Sequence, residues 1–369
     1  MSGHDDMQTT DEIIKTKGRK VAQTATLHDI AEASGVSIST VSKVLNERTG
    51  VSPSNRARVM QVVEDLGYRR PDSKLRAMAE LGSVSIVTFD RYAANDHYYV
   101  DTLRGLTDEA RYLGWDVALD LALIGDGYTE VDPEKLFRRG KPESVVMLGI
   151  DQGPVIEAIA ALGCPAVIVN GVDPLMRISS ISPDHYYGSY RATQHLIDKG
   201  HTKFLHVSHI YRDTVAQRID GMRHALERAG IVFDPERDLL DTGSANFSSL
   251  DASNAIRSLI EEGRFDHTAI VCASDMLAIG VTQALLSAGY RVPEDVSIVG
   301  FDDLPISMHC EVPLTTMHIE RGEMGRLAIQ MLADQAAGKL VSRRRIGMTM
   351  NLVERMSVAP PPKINQDKD

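Results

Sequence analysis

From Ser83 onward, short β-rich runs alternate with longer stretches of helical periodicity, and this alternation restricts the fold more than any other feature of the chain. The runs are VSIVTF (84–89), VALDLAL (117–123), VVML (145–148), AVIV (166–169), FLHV (204–207), AIVC (269–272) and SIVGF (297–301). Helical patterns near 99–113, 153–162, 187–199, 216–229, 250–262, 275–288 and 320–336 lie between or after them. Runs this apolar need cover on both faces, which predicts parallel, doubly wound α/β sheets with helices on either side. The span is long enough for two lobes. Such sheets bind ligands beyond the carboxyl ends of their strands, so two facing lobes make a cleft.

The segment before Ser83 is patterned differently. Leu27, Ile30 and Ala31 recur at i, i+3, i+4 and predict a helix ending near Gly35, whose lack of a Cβ suits a tight turn. Ser37 stands where an N-cap belongs. A second helix puts Val41, Val44 and Leu45 inward and leaves Ser39, Ser42, Lys43 and Asn46 as a polar stripe. Ser52-Pro53 opens a third, with Val59, Val62, Val63 and Leu66 facing inward. Helix, glycine turn and a second short helix with a polar outer face describe an all-α helix-turn-helix headpiece. Its second helix suits the major groove, where short polar and basic side chains reach base edges.

Charge agrees with that division. The formal net charge is −11, yet residues 15–80 balance at +5 and residues 81–369 at −12. A basic head on an acidic body is the distribution expected when only the head meets phosphate. A composition of 43% hydrophobic and 25% charged residues is that of a folded globular chain, and no apolar stretch is long enough to span a membrane. The polar N-terminus has no signal-peptide core, so a cytoplasmic, nucleoid-associated location is expected. Cys164, Cys272 and Cys310 lie far apart beside apolar runs and read as buried thiols. No histidine pair has metal-ligand spacing, and Walker, GxGxxG, GxSxG and HExxH motifs are missing. Neither a metal, a cofactor nor catalysis is expected.

The run TLHDIAEASGVSISTVSKVLN resembles the signature of the LacI/GalR family of bacterial transcriptional regulators. In the body, GSYRATQHLIDKGHTKFLHV, AQRIDGMRHALERAGI, CASDMLAIG, VPEDVSIVGFDD and PLTTM are similar to family segments, and the resemblance covers almost all of Thr26–Pro361. It implies a headpiece joined to a two-lobed, periplasmic-binding-protein-like domain. The implied organisation is an N-terminal extension (1–24), a helix-turn-helix domain (25–70), a hinge (71–82), an effector-binding and dimerisation domain (83–358), and a tail (359–369), with extension and tail disordered. Lobe 1 is placed at about 83–181 and 317–345, lobe 2 at about 182–316 and 346–358. The family's base-reading positions fall on Ile38, Ser39 and Lys43, and its phosphate contacts on Thr26, Ser37, Thr40 and Asn46. Most relatives carry Arg at position 43; Lys cannot make the same bidentate grip on guanine. In the hinge, Arg76 and Met78 resemble the minor-groove residues, with Met78 as the intercalating wedge, or Ala77 if the register carries no insertion.

In the cleft, Arg218 of an Arg-x-x-Gly motif can fork onto vicinal hydroxyls or a carboxylate, and the family uses this arginine for its effector. Asp302, at a strand's carboxyl end, can accept hydrogen bonds from hydroxyl or ring N–H donors. Tyr98, Tyr99 and Phe247 are placed to stack on a ring. Asp151, Asp184 and Asp275 are further candidates, although Asp275 serves an N-cap equally well. The expected protein is a homodimeric repressor on a near-palindromic double-stranded operator, controlled by a small molecule, a sugar or polyol before a purine or nucleoside. A transport receptor without DNA function, or an enzyme fused to a DNA-binding head, are the competing readings.

Overall fold

The computed structural model describes residues 27–45, 50–66, 83–94, 98–113, 118–125, 132, 136–137, 140–340 and 342–363. The chain divides after Pro71 into two compact units. In the first, α1 (Leu27–Ser34), α2 (Ile38–Leu45) and α3 (Pro53–Asp65) enclose Ile30, Ala31, Val41, Val44, Leu45 and Val59. Gly35 turns the chain at φ 66°, and the Thr40 N–H donates to Ser37 Oγ at 3.2 Å, capping α2. Ser52 caps α3 by accepting from the Asn55 N–H, with Pro53 following it. Arg56 of α3 donates to the Val44 carbonyl at 3.3 Å, fastening α3 to the end of α2. Leu66 is exposed and Val62 and Val63 are only half-buried, against the inward positions expected from periodicity. The reason is length: eight-residue partners cannot cover a thirteen-residue helix along its whole side.

The second unit holds two parallel sheets. Strands β1 (Ser83–Phe89), β2 (Ala118–Ile124), β3 (Val145–Leu148), β4 (Ala166–Val169), β5 (Ser179–Pro183) and β11 (Arg345–Met348) form the first, in the order β11-β5-β4-β3-β1-β2. Strands β6 (Phe204–Ser208), β7 (Leu239–Asp241), β8 (Ala269–Cys272) and β9 (Ser297–Val299) form the second, ordered β7-β6-β8-β9. An antiparallel pair, β10 (Thr316–His318) with β12 (Asn351–Val353), belongs to neither sheet but is tied to the end of β9, where the Gly300 N–H donates to the Thr315 carbonyl at 2.9 Å and the Asp302 N–H to the Met317 carbonyl at 3.0 Å. Interleaved are α4 (Asp90–Ala94), α5 (Val100–Tyr112), α6 (Gly153–Ala161), α7 (His185–Asp198), α8 (Asp213–Arg228), α9 (Pro235–Asp238), α10 (Ser249–Glu261), α11 (Asp275–Ser287) and α12 (Arg321–Ala336). Among the described residues no helix is long and apolar enough to cross a membrane.

Period-2 alternation sorts each strand between two cores. On β1, Val84 and Ile86 join the core under α5 and α12, whereas Val87 and Phe89 join the one under α6. On β8, Ala269 and Val271 face α7 and α8, and Ile270 and Cys272 face α10 and α11. The helices pair at backbone distance. A Cβ on Gly221 of α8 would stand 2.0 Å from the Tyr186 carbonyl oxygen of α7. One on Gly325 of α12 would stand 2.1 Å from the Thr102 carbonyl oxygen of α5.

Three expected boundaries need correction. Residues 182–183 and 346–348, assigned above to lobe 2, belong to β5 and β11, which pair in parallel at the outer edge of the first sheet. The tail does not begin at 359: the Ala359 N–H donates to Ser297 Oγ at 3.0 Å, and its carbonyl lies 2.9 Å from His201 Nε2. Those partners satisfy the backbone there and hold it to the second lobe.

The backbone contact of Gly221 sets a testable threshold. Gly221→Ala is expected to lower the unfolding free energy of the body by about 1–3 kcal/mol in urea titration, because the obstacle is main chain. Gly153→Ala, where an added Cβ meets nothing within 4 Å, should stay within about 0.5 kcal/mol of the parent.

Candidate functional site

A cleft of about 410 Å³ opens at the carboxyl ends of the strands in both sheets. From the first lobe come Tyr92, Tyr98 and Tyr99 after β1, and Asn170 directly after β4. From the second come Tyr211, Arg212 and Arg218 after β6, Asn246 and Phe247 after β7, Ser274 and Met276 after β8, and Asp302, Leu304, Pro305 and Ile306 after β9. Four tyrosines and a phenylalanine thus supply flat apolar walls, broken by a few polar groups, which is the usual make-up of a small-molecule site. Tyr98 and Tyr99 pack edge-on at 4.8 Å, and Tyr211 meets Phe247 likewise at 5.6 Å.

Arg218, on the second turn of α8, is the buried centre of the polar set. Its Nη1 donates to the Ala273 carbonyl, its Nε donates to His185 Nδ1 at 3.2 Å, and its guanidinium lies 3.9 Å from the centre of the Phe301 ring. Because His185 Nδ1 accepts from Arg218, the proton of a neutral imidazole sits on Nε2, which faces Asn170 Oδ1 at 3.2 Å. Asn170 Nδ2 then donates to the Tyr99 hydroxyl at 3.0 Å. Burial, with Arg218 and Arg212 nearby, holds His185 well below its ordinary pKa and keeps it neutral. The chain from Arg218 to Tyr99 therefore runs from one lobe to the other.

The third donor group of Arg218, Nη2, stands 3.8 Å from Asp302 Oδ1, beyond hydrogen-bond range. Asp302 Oδ1 is buried and has no hydrogen-bond partner among the described residues. Burial raises the carboxyl pKa of Asp302 to about 6, against the lowering influence of Arg218, Arg321 and Arg212. A group that both donates and accepts, inserted between Nη2 and Oδ1, would satisfy both.

Further bonds cross the cleft. Arg212 donates to the carbonyls of Gly149 at 2.8 Å and Asn170 at 3.2 Å, and the hydroxyls of Tyr92 and Tyr211 lie 2.9 Å apart.

Of the residues singled out from the sequence, Tyr98, Tyr99, Arg218, Phe247 and Asp302 line the cleft. Asp184 does not: it caps α7 by accepting from the Tyr187 N–H at 3.0 Å. Asp275 lies behind the wall, accepting from Thr316 Oγ1 and from the Leu304 N–H at 2.7 Å, and burial pushes its pKa up to about 8. Asp151 is also outside the lining; burial raises its pKa while Arg212 and the Thr214 N–H oppose that. Ser274 caps α11 and reaches the cleft as well. Tyr92, Asn170, Tyr211 and Arg212 were not anticipated. Each lies within four residues of a strand's carboxyl end, and that position is the signal by which they are found.

In the head, Ile38, Ser39 and Lys43 are exposed on α2, and Ser37 Oγ lies 2.8 Å from Ser39 Oγ and 2.9 Å from Thr40 Oγ1. The three expected base-reading residues are thus exposed on α2, and the expected phosphate contacts Ser37 and Thr40 lie at its capped start. Thr26, Asn46, Arg76 and Met78 lie outside the described residues, as do residues 1–24, the hinge (71–82) and residues 364–369.

Residues 26–71 match the family model of bacterial regulatory proteins of the lacI family, and residues 193–358 match that of the periplasmic binding protein-like domain. The HTH-type transcriptional regulator MalR of Streptomyces coelicolor is 30% identical over 347 residues, covering 92% of this chain and 98% of that protein. The ribose operon repressor of Escherichia coli is 28% identical over 335 residues, covering 90% of this chain and 99% of that one. Among solved structures, a complex of the transcriptional regulator CelR with cellobiose matches with a TM-score of 0.66 at 26% identity, over 90% of this chain and 99% of that one. With the likeness running through both the helix-turn-helix head and the two-lobed body, the chain belongs to the LacI family of bacterial regulatory proteins and is a DNA-binding transcriptional regulator, not an enzyme.

Proposed function

We propose that this regulator is a homodimeric repressor that binds a near-palindromic operator in the cytoplasm and is controlled by a sugar or polyol held between its lobes. The observation that carries the effector class is the 3.8 Å gap between Arg218 Nη2 and the unpartnered Asp302 Oδ1 inside an aromatic-walled cleft. A sugar hydroxyl accepts from the guanidinium and donates to the carboxylate, while the C–H face of the ring packs on Tyr98 or Phe247. The cellobiose-bound and ribose-operon relatives support the same class. The aromatic walls also suit a purine or nucleoside, whose adjacent N–H and carbonyl can bridge the same gap. Ser37, Ile38, Ser39, Thr40 and Lys43 supply the head's half of the DNA contact. One such helix covers half an operator, and a twofold dimer covers both halves.

Thermal-shift measurement against sugars, polyols and nucleosides tests the effector reading. A ligand present at about 100 times its dissociation constant should stabilise the body by about 2.7 kcal/mol. Arg218→Ala and Asp302→Asn should each abolish that shift; a hit that survives both substitutions binds elsewhere, and the cleft reading fails. For the head, Lys43→Ala should weaken operator binding in gel-shift titration by about 1–3 kcal/mol if Lys43 reaches a base edge. Equal loss on operator and random DNA would instead make it a phosphate contact.

Effector binding should also depend on pH. With its pKa near 6, Asp302 is ionised at pH 7.5 and largely protonated at pH 5. A ligand that donates to the carboxylate competes with the proton, so affinity falls as pH drops through 6, by at most about tenfold per pH unit for one coupled proton. Calorimetric titration of the parent should show that decline between pH 7.5 and 5; an affinity that stays level across that range would remove Asp302 from the contact.

A further inference from the structure

Asp302 does not hold its own position. Its φ is 116° and that of Asp303 is 52°, both in the region that side chains other than glycine rarely adopt, so the surroundings must impose them. The surroundings are visible. Arg321, on the first turn of α12 and 5% exposed, donates through Nη1 to the Asp302 carbonyl and through Nη2 to the Asp303 carbonyl at 3.4 Å. The same Nη2 lies 3.6 Å from Asp101 Oδ2, on the first turn of the helix that follows Tyr98 and Tyr99, and the guanidinium lies 5.7 Å from the Tyr98 ring centre. The Asp303 carboxylate is held separately by Arg355 at 2.6 Å and His318 at 2.8 Å.

We propose that Arg321 is a positioning residue for effector recognition: its fork holds the two carbonyls behind Asp302 in their left-handed conformations and so aims the Asp302 carboxylate at Arg218. The inference rests on the reading of Asp302 as an effector contact, but its first test does not. Arg321 supplies two separable things, a planar fork that spans adjacent carbonyls and a positive charge close to a buried carboxylate. Lys keeps the charge and loses the fork; Met keeps the length and loses both.

The test is carboxyl ¹³C NMR of the full-length protein labelled on aspartate, with the Asp302 signal identified by its loss in Asp302→Asn. The parent should titrate near pH 6. Arg321→Met should raise that midpoint by about half a unit or more, and Arg321→Lys should leave it within about 0.3 unit. Both variants should bind the ligand found in the thermal-shift panel about tenfold or more weakly, while operator binding without ligand stays at the parent level. An unmoved midpoint in Arg321→Met, or parent-level ligand affinity in Arg321→Lys with the parent midpoint, would overturn the proposal. A midpoint that moves while ligand affinity does not would uphold the grip of Arg321 on Asp302 and remove Asp302 from the effector site. If Arg321→Met does not fold, Arg321→Lys decides through affinity alone: a loss at unchanged midpoint supports the fork, and no loss overturns it.

Discussion

A guanidinium that is 4% exposed must have its charge and its donors answered, and the body is organised around answering those of Arg218. One donor goes to a main-chain carbonyl at the end of β8, one to a neutral histidine on α7, and the ring of Phe301 lies against its face. Each of these partners is itself constrained. His185 can accept from Arg218 only as the Nε2-protonated tautomer, and in that form it has one donor left, which Asn170 takes. Asn170 sits at φ 55° immediately after β4, so the first lobe meets the second through a side chain whose backbone is turned for the purpose. Four chain segments, those of Ala273, His185, Phe301 and Asn170, are thereby committed to one cation.

Around this centre the helices are locked in pairs whose main chains touch. Gly221 brings α8 against Tyr186 of α7, Gly280 brings α11 against Ser249 of α10, and Gly105 and Gly325 join α5 to α12. Contacts of that kind leave little room for one helix to slide on its mate, because the obstacle is backbone and not a side chain that can change rotamer. The antiparallel β10 and β12 pair and the cleft itself lie outside these locked helix pairs. Arg321 is placed where those two meet, at the start of α12 and behind Asp302.

Most of the fold is legible in the sequence because buried parallel strands announce themselves as apolar runs, and the expected strands and helices fall within a few residues of those observed. The strands that escaped are short or polar: Ser179–Pro183 reads SSISP, the edge strand Arg345–Met348 reads RIGM, and Leu239–Asp241, Thr316–His318 and Asn351–Val353 have three residues each. Three residues carry no periodicity, and their strand character comes from the partners they meet. The site divides along similar lines. Arg218 and Asp302 are legible because a charge at a strand end has few structural uses. Asp184 is not, because a helix N-terminus and a ligand hydroxyl ask the same thing of a carboxylate, an acceptor at the right point in space. Asn170 and Tyr92 carry no charge and belong to no motif, and only the sheet order places them opposite Arg218.

The cleft geometry also decides what a ligand must do to act as a switch. A ligand shifts a conformational equilibrium only through a difference in its affinity for the two states. One lying against Tyr98, Tyr99 and Asn170 on one side and Arg218, Phe247 and Asp302 on the other loses half its contacts if the lobes turn apart, so its affinity depends on their angle. The protein's own cross-cleft bonds, from Arg212 to the Gly149 and Asn170 carbonyls and between the Tyr92 and Tyr211 hydroxyls, favour the same approach of the lobes. A ligand that completes the Arg218 to Asp302 gap therefore works in concert with these bonds. One that wedges Tyr92 from Tyr211 works against them, and the two kinds of molecule would bias the body in opposite directions from a single site.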